Sequence, residues 1–132
     1  MNPTTEDIKD MLEDSTGVDG LTFQTNLFIG TMPDTPDLCV GLYDTGGPPS
    51  DEAQSGTHYP TFQARVRGAV GGYKTAYTMA QSIRDNLHQR ANQTYNATRF
   101  IYIYASGDIL FIGKDDKDRP LFSCNFRTAK TG

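Results

Sequence analysis

Residues 62–87, "FQARVRGAVGGYKTAYTMAQSIRDNL", switch apolar period in mid-segment, and this switch restricts the fold more than any other feature of the chain. Phe62, Ala64 and Val66 alternate with Gln63, Arg65 and Arg67, as in a strand with one buried and one solvated or partner-facing side. Beyond the glycines, Tyr73, Ala76, Tyr77, Ala80, Ile83 and Leu87 recur at helical spacing and gather on one face, which Arg84 interrupts. A strand, a glycine turn and a core-packing helix are expected. The junction comes within one residue of a phosphate-binding loop: in G-x-x-x-x-G-K-[ST], Gly68, Lys74 and Thr75 are in register, but Tyr73 takes the second glycine's place. Such a loop aims backbone N–H groups at phosphate, and a ring at that position obstructs the approach. Gly68, Gly71 and Gly72 are therefore assigned to the turn, and no cofactor is expected.

The flanking segments supply the remaining elements. "TTEDIKDMLED" offers Thr4 as N-cap with Asp7 three residues on, then Ile8, Met11 and Leu12 at helical spacing. Strands are expected at 27–30 and 38–43, separated by the turn-forming "TMPDTPD". Residues 44–60, "DTGGPPSDEAQSGTHYP", have no apolar period and read as a long flexible loop, a kind that tends to be functional or disordered. Three strands follow, at 99–104, 109–113 and 121–127, the first two expected to pair as a hairpin across "ASGD". The whole chain, 1–132, is read as one α+β domain: a largely antiparallel or mixed sheet with two helices packed on one face. "FIYIY" and "ILFI" are apolar on both faces, so their outer side needs a cover from within the domain or from another subunit.

Several function classes are excluded by residue chemistry. A net charge of −4 argues against a protein that wraps nucleic acid. The charge is nevertheless uneven: residues 1–19 hold six acids against Lys9, and residues 65–90 hold five bases against Asp85, an opposition suited either to solvated faces or to contacts between copies. No apolar run is long enough to span a bilayer, and the start lacks the basic and apolar regions of a signal peptide, so cytosolic synthesis is expected. In that compartment Cys39 and Cys124 are expected as buried thiols, and the sequons at Asn92 and Asn96 as unmodified loop residues. His58 and His88 lack nearby cysteines, and "DDKDRP" lacks a calcium loop's glycine and late glutamate, so no metal is expected. Ser55, His58, Ser123 and Cys124 belong to no nucleophile motif, and no enzyme is expected.

With these elements in place, "EDIKDMLE", "LFIGTMPDTPDLCVGLYDTGGPP", "YPTFQARVRG", "YKTAYTMAQSIRDNL" and "FIGKDDKDRPLFSCNFR" together resemble the small minor capsid or tail-completion proteins of tailed bacteriophages, tail terminators in particular. The most specific pieces are "LYDTGG", "FQARVRG" and "GKDDKDRPLFSCNF"; Ala64 departs from the larger β-former expected at its position. The resemblance implies a non-enzymatic virion protein, assembled in the host cytoplasm, whose copies form a ring, typically of six. That ring would cap the tail tube and offer a head-joining surface. The implied partners are further copies of the chain, the tail tube protein and a head-side connector, with DNA passing the lumen and no membrane. Phe100, Tyr102, Tyr104, Ile109 and Phe111 are expected in the subunit contact, with Arg65 and Arg67 turned toward a neighbour or the tube. Asp44, Gly46, Gly47, Pro48, Pro49, Asp51, Glu52 and His58 of the long loop are expected to dock on tube or connector. The alternative is a monomeric or dimeric interaction module of another connector or minor capsid type.

Overall fold

The computed structural model describes residues 1–51 and 53–132. Among them the chain forms α1 (Thr4–Glu13), β1 (Leu27–Ile29), β2 (Cys39–Gly46), β3 (Thr61–Arg67), α2 (Tyr73–Leu87), β4 (Arg90–Tyr95), β5 (Thr98–Ala105), β6 (Leu110–Lys114) and β7 (Pro120–Thr131). The strands join in one sheet, ordered β1-β2-β3-β7-β5-β4, with β6 on a branch beside β7. β1 and β2 run parallel and the other pairs antiparallel. Both helices pack on one face, giving the expected α+β arrangement with a mixed sheet.

The period switch holds along β3 and for four of the six residues of the helical stripe. Phe62, Ala64 and Val66 point into the core, where Phe62 stacks on Phe126 with ring centroids 4.8 Å apart, and Ala76, Ala80, Ile83 and Leu87 cover them from α2. A Cβ on Gly68 would come within 2.8 Å of the Ala76 Cβ, so the glycine permits the close approach of strand end to helix. Cys39 and Cys124 are buried free thiols. They register with Arg67 and Ala64 of β3, an odd number of residues apart, and so lie on opposite faces of the sheet, where no disulfide can join them. Burial pushes the Cys124 thiol up to about 11 and raises Cys39 as well. A thiol reagent applied to the folded protein at about pH 8 is therefore expected to find no reactive cysteine, and to modify both once denaturant is added. Rapid modification of either without denaturant would contradict this burial.

Four expectations are corrected. Thr4 is not an N-cap: it is the first helical residue behind Pro3, no side chain caps α1, and Asp7 instead accepts from Asn96 Nδ2 at 2.7 Å. The segment "TMPDTPD" is more than a turn, because parallel strands cannot be joined by one. Residues 30–38 pass over the outer face of β2, close enough that a Cβ on Gly41 would meet Met32 Cγ at 2.7 Å. β4 occupies residues expected as loop, and closes a hairpin with β5 through Asn96 and Ala97, both at positive φ as a two-residue primed turn requires. Asn92 is therefore a strand residue. Finally, β5 and β6 are not a hairpin: both run antiparallel to β7 and follow one another along its edge, Ala105 opposite Phe126 and Leu110 opposite Ser123.

Candidate interaction surfaces

The branch strand β6 creates the most exposed apolar surface among the described residues. Leu110, Phe111 and Ile112 are 58%, 41% and 40% exposed, and among the described residues β6 has a strand partner only on its β7 side. Phe111 faces the helices, where the Tyr73 and Phe122 rings meet it in an aromatic corner that Tyr77 joins through Phe122; the Tyr73 centroid lies 5.2 Å from Phe111 and 4.9 Å from Phe122. Tyr73 and Tyr77 were expected on the buried stripe of α2, but both are exposed, at 51% and 36%, each meeting the Phe122 ring at an edge while Ala76 between them is buried. Val70, three residues before Tyr73, is 65% exposed. Ile109, expected in the contact, is half-buried against the core. An apolar edge strand with open backbone groups invites pairing or cover.

The hairpin that presents β6 is fastened by a guanidinium. Arg119 is buried and pairs with Asp115 at 2.7 Å, Asp34 at 3.2 Å and Asp37 at 3.2 Å, while Lys117 adds a 2.6 Å bridge to Asp34. The hydrogen bond from Lys117 is the main cause holding the Asp34 carboxyl below its ordinary range. "DDKDRP" is thus a structural clamp between the β6–β7 turn and residues 34–37 rather than a solvated turn.

Arg67 is spent in the same way. Sequence alternation turns it outward, and it does leave the core face, but residues 33–37 lie over it: Nε donates to Asp37 O at 3.1 Å and Nη2 to Pro33 O and Pro36 O at 2.5 and 2.8 Å. At 4% exposure it cannot reach a neighbour or a tube in this fold. Arg90 is likewise buried, donating to the Asn86 and Thr16 carbonyls, so the five bases at 65–90 do not form one basic surface as a unit.

A basic surface exists elsewhere, on the sheet face opposite the helices. Arg65, Arg99 and Arg127 are exposed there, on three different strands, and among the described residues none has a carboxylate within salt-bridge distance. Arg65 lies over the Tyr43 ring at 5.1 Å and donates to Gln63 at 2.6 Å; Gln63 in turn donates to Asn125 at 3.0 Å. Arg127 lies over Tyr104 at 5.7 Å, with Tyr102 beside it. Tyr102 and Tyr104 thus share the outer face as expected, whereas Phe100 is buried on the core side. Arg99, Arg127, Asn125 and Tyr43 were not anticipated. The signal was present in the alternation of Ser123, Asn125 and Arg127, but the strands that β7 aligns are distant in sequence.

The long loop is anchored at both ends. Asp44 to Gly46 belong to β2, and Asp44 accepts from the Thr5 hydroxyl at 2.9 Å. His58 exchanges backbone hydrogen bonds with Lys130 at 2.8 and 2.9 Å. Between them Gly47, Pro48 and Pro49 are exposed, and Asp51 bridges Thr57; Glu52 lies outside the described residues. Lys74 and Thr75, the residues of the near-miss phosphate loop, line an open groove of about 410 Å³ with Val18, Leu38 and Met79. Among the described residues no helix is long and apolar enough to cross a membrane.

Against known families, the model described as "Bacteriophage tail terminator protein" matches residues 7–131. No curated protein matches the chain.

Proposed function

The chain belongs to the bacteriophage tail terminator family, and on that premise we propose that its copies close into a ring, six-membered in the family's usual manner, that caps the tail tube and offers the surface for head joining. The protein is a structural component of the virion's tail. The observation that carries the ring is the apolar corner: Leu110, Phe111 and Ile112 on an open edge strand, continued by Tyr73 and Tyr77. A surface of this kind on a small chain is stabilised by cover, and contact between unlike patches of identical copies closes into a ring when its rotation permits. The exposed part of the loop, Gly47 to Pro49, lies between two anchored ends and is suited to dock on the tube or the connector, with Asp51 and the anchored His58 beside it; Glu52, outside the described residues, belongs to the same proposal.

Mass in solution across a concentration series, alone and with purified tail tubes, tests the proposal. A closed oligomer, or a monomer that assembles on tube ends, is the expected result. A persistent monomer that ignores tubes would leave the family assignment in place and sink the ring. In the same assay a chain lacking residues 48–56 should assemble but fail to cap; normal capping would reduce the loop to a connector.

A further inference from the structure

Among the described residues, the band of arginines on the outer sheet face has no carboxylate partner. Arg65, Arg127 and Arg99 stand beside or opposite Ser123, Tyr104 and Thr131, at rows four residues apart along β7, so successive rows are separated by roughly 13 Å. A band of this length is too extended for a small anion and matches a macromolecular surface. Two of the guanidiniums lie over tyrosine rings, and Arg65 Nε also donates to Gln63, which orders them while leaving Nη groups to meet carboxylates. Tyr and Arg on an exposed, ordered sheet are also the side chains that protein interfaces favour. The band is continuous with the apolar corner, because Arg65, Ser123 and Leu110 form one row across β3, β7 and β6. Ser123 between them is only 2% exposed.

The complementary surface lies on the other side of the same molecule. Glu13, Asp14 and Asp19 are exposed at and beyond the C-terminal end of α1, where the helix has no basic residue in its last turn and where negative charge is unfavourable beside the helix dipole. None of the three is in a salt bridge among the described residues. Thr16, next to them, accepts from Asn86 and Arg90, so this acidic end sits by the C-terminus of α2, about 22 Å along that helix from the aromatic corner. Arginine band and acidic end thus occupy opposite faces of the sheet. A contact between them joins unlike patches, which is the geometry of a ring.

We infer that the Arg65–Arg127–Arg99 face is the polar half of the subunit contact and receives the acidic end of α1 from a second copy of this chain. The inference rests on the ring proposed above. A face that met the tube or DNA instead would leave self-association untouched when its charge was reversed.

The test is a charge swap read by sedimentation and by tail capping. The triple variant Arg65→Glu, Arg99→Glu, Arg127→Glu should self-associate at least roughly tenfold more weakly than wild type. Glu13→Lys with Asp19→Lys should do the same; Asp14 is spared because it accepts from Thr16 and Tyr95. Mixing the two variants, so that each reversed face can meet a reversed acidic end, should return association between them to within about threefold of wild type. Circular dichroism and thermal unfolding identify any variant that fails to fold, and single charge reversals then replace it. Unchanged assembly in either variant overturns the inference, as does weakened assembly that mixing does not restore. Loss of capping with intact assembly would assign the face to the tube. A wild-type chain that never assembles overturns the ring itself, and is seen before any variant is made.

Discussion

Arg67→Met is expected to cost about 3–5 kcal/mol of folding stability, whereas Arg65→Met, two residues away on the same strand, should change it by less than about 0.5 kcal/mol. Arg67 is 4% exposed and its guanidinium satisfies three carbonyls of the segment that crosses the outer sheet face. Hydrogen bonds to a charged group contribute about 1.5–3 kcal/mol each; release of the buried charge offsets part of the sum. Methionine keeps much of the volume and none of the donors, so the carbonyls of Pro33, Pro36 and Asp37 lose their partners and the cover over β2 loosens. Urea unfolding of both variants decides the matter. An Arg67→Met loss below about 1 kcal/mol would mean that the segment is held by Arg119 and its acids without help from β3.

That pair of arginines also marks where the sequence stops being informative. Alternation assigns Gln63, Arg65 and Arg67 to one face correctly, because the pleat is a property of the backbone. It does not say what covers that face, and the cover comes from residues thirty positions earlier, routed there by a parallel β1–β2 pair that no local pattern announces. The strand–helix unit was legible to within a residue because its period changes sharply. β4 was not, because "RANQTY" is polar and its place in the sheet comes from pairing with β5 alone. The β5–β6 error has the same origin: neighbours in sequence were assumed to pair, while the long β7 strand takes both along one edge. The exposed apolar strand was visible in "ILFI", but the arginine band became visible only once β7 had set Arg65, Arg127 and Arg99 in register.

Replacing Leu110 and Ile112 together by glutamate should abolish self-association under conditions where wild type assembles, while leaving the fold nearly as stable. The two effects separate because of where the residues lie. Leu110 and Ile112 are already 58% and 40% exposed in the single chain, so little burial is lost on substitution. Phe111, whose ring packs between Tyr73 and Phe122, is left in place to keep the aromatic corner intact. In a contact that covers β6, each large apolar side chain contributes about 1.5–3 kcal/mol. Losing two weakens association roughly a hundredfold or more, before the cost of burying two carboxylates is added. Charge on an edge strand also opposes pairing through its open backbone groups. Sedimentation alongside thermal unfolding reads both quantities at once. A variant that melts with wild type and still assembles would remove β6 from the subunit contact and move the search to the exposed face of α2, whereas one that melts far below wild type would show that β6 is held in place by its own side chains more than by β7.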